Sequence, residues 1–187
     1  MVEMMNNVII FDTETTGLLK PSASGIDKQP YIIDICLCKL ERDGDSVRVI
    51  DTYETLIKPP DLISDEITRI TGIKNYDLEN APTFSEVYKD ISKFFVGTTD
   101  LVAHNIGFDV SMLANELVRI GKVIKFPWPI NHICTVEKTK YMEQRRLNLT
   151  RLHELLFGCG FDDAHRAKTD VMALKRCYIE LVKMGVL

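Results

Sequence analysis

The sequence predicts an α/β domain in which a three-strand antiparallel meander is followed by helices alternating with further strands, all on one mixed sheet flanked by helices. Three observations carry this reading. The chain up to Ile57 holds three β-rich runs, an Asp-Gly turn separates the second from the third, and from Ser64 onward the apolar residues recur at helical spacing. A length of 187 residues, 45% of them apolar and 27% charged, suits a single domain spanning 1–187 with a substantial core.

The first strand opens with Val8-Ile9-Ile10 and runs into FDTETTG, residues 11–17. KPSASGIDKQP, with a proline near each end and small residues between, reads as an exposed loop. YIIDICLCKL and VRVIDTYETLI lie on either side of the RDGD turn, which makes them an antiparallel hairpin, and KPP stops the third strand because proline cannot donate to a ladder. Ser64 caps a short helix in SDEITRITGI that ends near Gly72. Phe84, Val87, Tyr88, Ile91, Phe94 and Phe95 mark a longer helix stopped by Gly97. DLVAHN is a short strand. Val110, Leu113, Leu117 and Ile120 place a helix from Asp109 to Gly121, HICTV reads as the last strand, and helical segments follow at about 136–142, 148–157 and 166–184. No internal repeat or low-complexity tract interrupts this order.

The net charge of −4 excludes a protein that coats nucleic acid by bulk electrostatics, but not one that grips a strand end locally. Residues 137–151 form a local basic strip, with Lys138, Lys140, Arg145, Arg146 and Arg151 against Glu137 and Glu143. A solvated helix face explains the same strip equally well. Cys36, Cys38, Cys134, Cys159 and Cys177 are odd in number and contain no C-x-x-C pair, so a reduced, intracellular protein without structural zinc is expected. Glu3 precedes only a short apolar run, which does not fit a signal peptide, and no apolar stretch is long enough to span a bilayer. A soluble cytoplasmic protein without a membrane partner is the expectation, with its oligomeric state left open.

The chemistry is concentrated in four acids and a histidine. Asp12 and Glu14 are two apart on a strand, so their carboxylates project from one face, where like charges resist each other and a cation belongs between them. Taken alone, a strand end closed by Gly17 is the structural alternative. Asp109 stands where the strand DLVA gives way to a helix, a position that an ordinary helix cap also explains. Asp170 shares a helical stripe with Leu174, Cys177 and Leu181, so it faces inward and needs a partner. An ion pair with Arg166 would satisfy it but would leave His165 unexplained. Clustered carboxylates bind hard divalent cations. Two such ions about 3.5–4 Å apart stabilise both oxygens of an in-line phosphoryl displacement, and a histidine is suited to take the proton of the attacking water.

FDTETTG, HNIGFD and HRAKTD, in this order, resemble the three motifs of the DEDDh family of 3′–5′ exonucleases, which includes proofreading subunits of bacterial replicative DNA polymerases. The resemblance runs from about residue 8 to 182 and takes in PYIIDI, IKPP, ITGI and AHRAKTDVMALK. It implies a ribonuclease H-like fold and a hydrolase acting on 3′ ends of single-stranded nucleic acid with two Mg²⁺ or Mn²⁺ ions. By the same resemblance Asp12, Glu14 and Asp170 hold one ion, Asp12 and Asp109 the other, and His165 is the general base. The His165 segment is free to move, so a ring turned away in the free protein is compatible with that role. Thr15, Leu18, Ile70, Thr71 and Phe108 match positions that grip the terminal nucleotide, while ordinary packing is an equal explanation for these five. His104 and Asn105 support Asp109 or touch substrate, and a satisfied structural histidine is the favoured reading of His104.

DNA is favoured because DTETTG resembles the polymerase-associated branch, with RNA 3′-end processing as the alternative. A DNA polymerase is the implied partner. The chain stops at LVKMGVL, without the extra C-terminal tether of the proofreading subunit, so stand-alone action stays open. A non-catalytic scaffold on the same fold predicts a lost acid or histidine, and none is lost. A calcium site would gather its ligands on a single loop.

Overall fold

The computed structural model describes residues 6–162 and 164–187, so the reading of the N-terminus around Glu3 lies outside the described residues. Strands β1 (Asn6–Thr15), β2 (Ile32–Asp43) and β3 (Ser46–Leu56) form the expected antiparallel meander, and β4 (Asp100–Ala103) and β5 (Asn131–Cys134) add on in parallel. The sheet order is β3-β2-β1-β4-β5, so β1 lies at the centre. The helices are α1 (Asp65–Thr71), α2 (Asn75–Leu78), α3 (Phe84–Phe95), α4 (Ile106–Arg119), α5 (Thr135–Thr139), α6 (Leu149–Phe157) and α7 (Ala167–Lys183).

Alternation along β1 decides what each face carries. Ile9 and Phe11 point into a core shared with Ile91 and Phe95 of α3 and Leu113 and Leu117 of α4. Val8 and Ile10 point the other way, into a core shared with Val171, Leu174 and Tyr178 of α7. Each fully buried side chain of this size contributes about 1.5–3 kcal/mol, so α7 is held by its apolar stripe. The Val8–Ile10 row continues into Asp12 and Glu14 on the side where α7 begins.

The structure departs from the sequence reading at several places. The last strand ends at Cys134, the register partner of Ala103, because β4 stops there and offers nothing further to pair with. Thr135 and Val136 open α5 instead, and the buried Thr135 hydroxyl contacts Nδ1 of His104 at 2.9 Å. Helix α4 starts at Ile106, three residues before Asp109, after Asn105 turns the chain in the left-handed region with φ 76°. The loop after β1 contains two 3₁₀ turns, Ser22–Ser24 and Ile26–Lys28. The Arg119 guanidinium anchors that loop by donating to the carbonyls of Ile26, Gln29 and Pro30 at 3.2, 2.7 and 3.0 Å, and it stacks on Tyr31. The five cysteines are free, with Cys36, Cys38 and Cys177 buried. Among the described residues no helix is long and apolar enough to cross a membrane.

Candidate active site

Three elements deliver the four sequence-predicted acids to one end of the sheet. Asp12 and Glu14 come from the second half of β1, Asp109 from the first turn of α4, and Asp170 from the first turn of α7. Pairing of β1 with β4 stops at Ile10–Val102, yet β1 runs on to Thr15, so the chain leaving β4 turns into α4 beside Thr13. Thr13 there donates its backbone N–H and its hydroxyl to Oδ1 of Asp109, at 3.1 and 2.9 Å. Asp109 and Asp170 are buried, and Asp12 and Glu14 are half-buried.

Glu14, His165 and Asp170 each offer a ligand atom, and these atoms all lie within 4.8 Å of one another. The His165 ring therefore faces the carboxylates and is not turned away. Its backbone is left-handed, with φ 72°, and its N–H donates to Oδ2 of Asp170 at 2.8 Å. Asp12 and Asp109 stand outside that mutual 4.8 Å set and join it through charge.

The carboxyls are strained electrostatically. Burial, then the charge of Asp170 and further acids, pushes Glu14 up to about 8. Burial also raises Asp109, to about 7, against the two hydrogen bonds from Thr13. Asp12 lies well above the ordinary carboxylate range, through burial first and then Asp109, Asp170, Glu14 and Asp34. Burial raises Asp170 as well, opposed by the His165 N–H. A set of oxygen donors that each resist ionisation fits hard divalent cations, whose charge removes that resistance.

Sequence reasoning missed one acid of this cluster. Asp34 of β2 is the Cα partner of Glu14, is buried, and forms an ion pair with Arg166 Nε at 3.2 Å. Arg166 therefore pairs with Asp34 and not with Asp170, correcting the ion pair weighed above. Only the cross-strand register reveals Asp34, because within YIIDIC it reads as one more residue of a buried strand.

Residues 9–178 match the family model for exonucleases of the RNase T type. The match covers all four acids and His165. The chain belongs to the DEDDh exonuclease family. Over 179 residues it is 32% identical to the DNA polymerase III subunit epsilon of Treponema pallidum, a match that covers 92% of this chain and 74% of that protein. It is 34% identical over 169 residues to a PolC-type DNA polymerase III of Clostridium perfringens, covering 88% of this chain but only 10% of the polymerase. The chain thus spans about a tenth of the PolC-type relatives it matches. The fold is that of the nuclease domain of 3′hExo, a DEDDh family member solved bound to rAMP, with TM-score 0.76, 18% identity and coverage of 97% and 94% of the two chains. The ribonuclease H-like fold and the exonuclease activity read from the motifs are both borne out.

The remaining candidate residues of this exonuclease divide by exposure. Leu18 is 78% exposed and Ile70 44% exposed, so core packing does not account for either side chain. Ile70 lines an open cleft of about 560 Å³ with Arg69, Thr71, Ala164, Arg166 and Lys168, next to His165. The Thr71 side chain is used internally, donating to the Ile67 carbonyl at 2.9 Å and accepting from the Ile73 N–H at 3.1 Å. Thr15 is buried and donates to the Gly17 carbonyl at 2.8 Å, and Phe108 is half-buried against the α3–α4 core. His104 bridges Thr135 and the Leu147 carbonyl, a satisfied structural histidine whose pKa burial lowers to about 4. In the basic strip, Arg145 and Arg151 pair with Glu143, and Lys140 and Arg146 pair with Glu137, so two carboxylates hold four of its cations and the strip stays net positive.

Proposed function

We propose that this domain removes nucleoside monophosphates from the 3′ end of single-stranded DNA, with two divalent cations and His165 as proton acceptor. The observation that carries the reading is the convergence of Asp12, Glu14, Asp109 and Asp170, all resisting ionisation, with the His165 ring facing into the same cluster. Mg²⁺ or Mn²⁺, when bound, would supply charge that ionises these carboxyls and offsets the negative charge of the phosphate. Asp12, Glu14 and Asp170 would hold one ion, and Asp12 with Asp109 the other. His165 takes a proton from the water that attacks phosphorus, while the bond from phosphorus to the 3′ oxygen of the preceding nucleotide breaks. Leu18 and Ile70 present apolar side chains to the bases of the strand end. Thr15, Thr71 and Phe108 shape that pocket, Thr71 through its main chain because its hydroxyl is committed.

The polymerase III relatives favour DNA and a replication or repair setting in the cytoplasm, with residues 1–187 as one exonuclease domain working alone or beside a polymerase. The test is incubation of purified protein with 3′-labelled and 5′-labelled single-stranded DNA and RNA, in Mg²⁺, Mn²⁺ or chelator. Mononucleotide release from a free 3′-hydroxyl, absent in chelator and faster on DNA, is expected. Faster release from RNA would move the substrate to RNA 3′ ends, and rapid cutting of circular single strands would overturn the exonuclease polarity.

A further inference from the structure

We propose that Asp34 is a positioning residue for His165, acting through the Arg166 side chain; this rests on the reading of His165 as proton acceptor. His165 is exposed and left-handed at φ 72°, a backbone region that side chains other than glycine rarely adopt. Packing does not hold it there, so the main chain on either side must. On one side the His165 N–H donates to Asp170 at 2.8 Å. On the other, the next residue ends on a carboxylate of β2: Arg166 Nε donates to Asp34 Oδ2 at 3.2 Å.

Asp34 is suited to be the fixed end of this clamp. It sits in β2 between β1 and β3, with Glu14 and Leu56 as its register partners, and only 7% of its side chain is exposed. Arg166 is the exposed end, with 46% of its side chain in solvent. The strand that neighbours the Glu14 carboxylate thereby also sets where the His165 ring stands.

The experiment measures kcat and KM on a single-stranded oligonucleotide in Mg²⁺ for Asp34→Asn and Arg166→Gln, each made in the wild-type and in the His165→Ala background. Misplacing a catalytic group by about an ångström costs on the order of 10²-fold, so kcat should fall roughly 10- to 100-fold with KM little changed. Arg166→Lys should recover part of the loss. In the His165→Ala background neither substitution should lower the rate further, because the residue they position is gone. An equal loss in both backgrounds, or a near wild-type kcat for both variants, overturns the proposal. Arg166→Gln alters a solvent-facing side chain and carries the test if Asp34→Asn does not fold. A His165→Ala enzyme as fast as wild type would overturn the general-base reading and this inference together, whereas a slow His165→Ala enzyme with a fast Asp34→Asn enzyme removes only the inference.

Discussion

Thr13 and Asp109 are joined by two hydrogen bonds to a single carboxylate oxygen, Oδ1, one from the backbone N–H and one from the hydroxyl. They tie the centre of the sheet to the first turn of α4 and are the main force opposing the upward shift of Asp109. Thr13→Val keeps the shape and the N–H but loses the hydroxyl. The Mg²⁺ concentration for half-maximal activity should rise several-fold, because Asp109 then gives up its proton less readily. Stability should fall by about 1 kcal/mol, the net worth of one hydrogen bond. An unchanged Mg²⁺ dependence would show that Asp109 takes no part in metal binding.

The raised carboxyls give the metal-free protein a defined response to pH. With folded-state values of about 8 for Glu14 and about 7 for Asp109, the folded chain keeps protons that the unfolded chain releases near pH 4. That contribution to stability is fully present below the unfolded value and is lost as pH rises through the folded values. In chelator, Tm should therefore decline between pH 5 and 8.5, and saturating Mg²⁺ should flatten the decline. A calorimetric series in chelator with a level or rising Tm would contradict the assigned shifts.

Asp12→Asn removes one of the repelling charges at the centre of the cluster. The rate on single-stranded DNA should drop by about 10³-fold, equivalent to about 4 kcal/mol of transition-state stabilisation. The same variant should melt at a higher temperature than wild type in chelator at pH 8, where repulsion is greatest. Loss of folding together with loss of activity would make Asp12 a structural residue.

His165 stands close enough to Glu14 and Asp170 to serve either as a ligand or as a base. His165→Ala separates the two roles. As a base, its loss lowers kcat by roughly 10²–10⁴-fold. Mn²⁺ binding measured by titration calorimetry should be retained. A weakened Mn²⁺ affinity would identify His165 as a ligand.

Much of this site was legible because its residues obey simple periods. Asp12 and Glu14 extend the two-residue alternation of Val8 and Ile10, and Asp170 lies on the buried stripe of Leu174 and Leu181. Asp34 obeys the same alternation but has no signal of its own, since its meaning depends on facing Glu14 across two strands joined by a long loop. The partner of Arg166 was misread for the same reason: Asp170 is near in sequence, whereas Asp34 is near only in the folded sheet. Helix α2 and the two 3₁₀ turns are too short to display a period, and the end of β5 is set by the length of β4, not by HICTV itself.

Helix α7 does more than bring in Asp170. It covers the sheet face formed by Val8, Ile10, Cys36, Cys38 and Leu40, which lie more than a hundred residues upstream. Until α7 is laid on the sheet, this apolar face stays bare and neither Asp170 nor His165 is in place. Before α7 docks, the sheet therefore carries only part of the acid cluster. A single docking event thus couples burial of the sheet to assembly of its carboxylates.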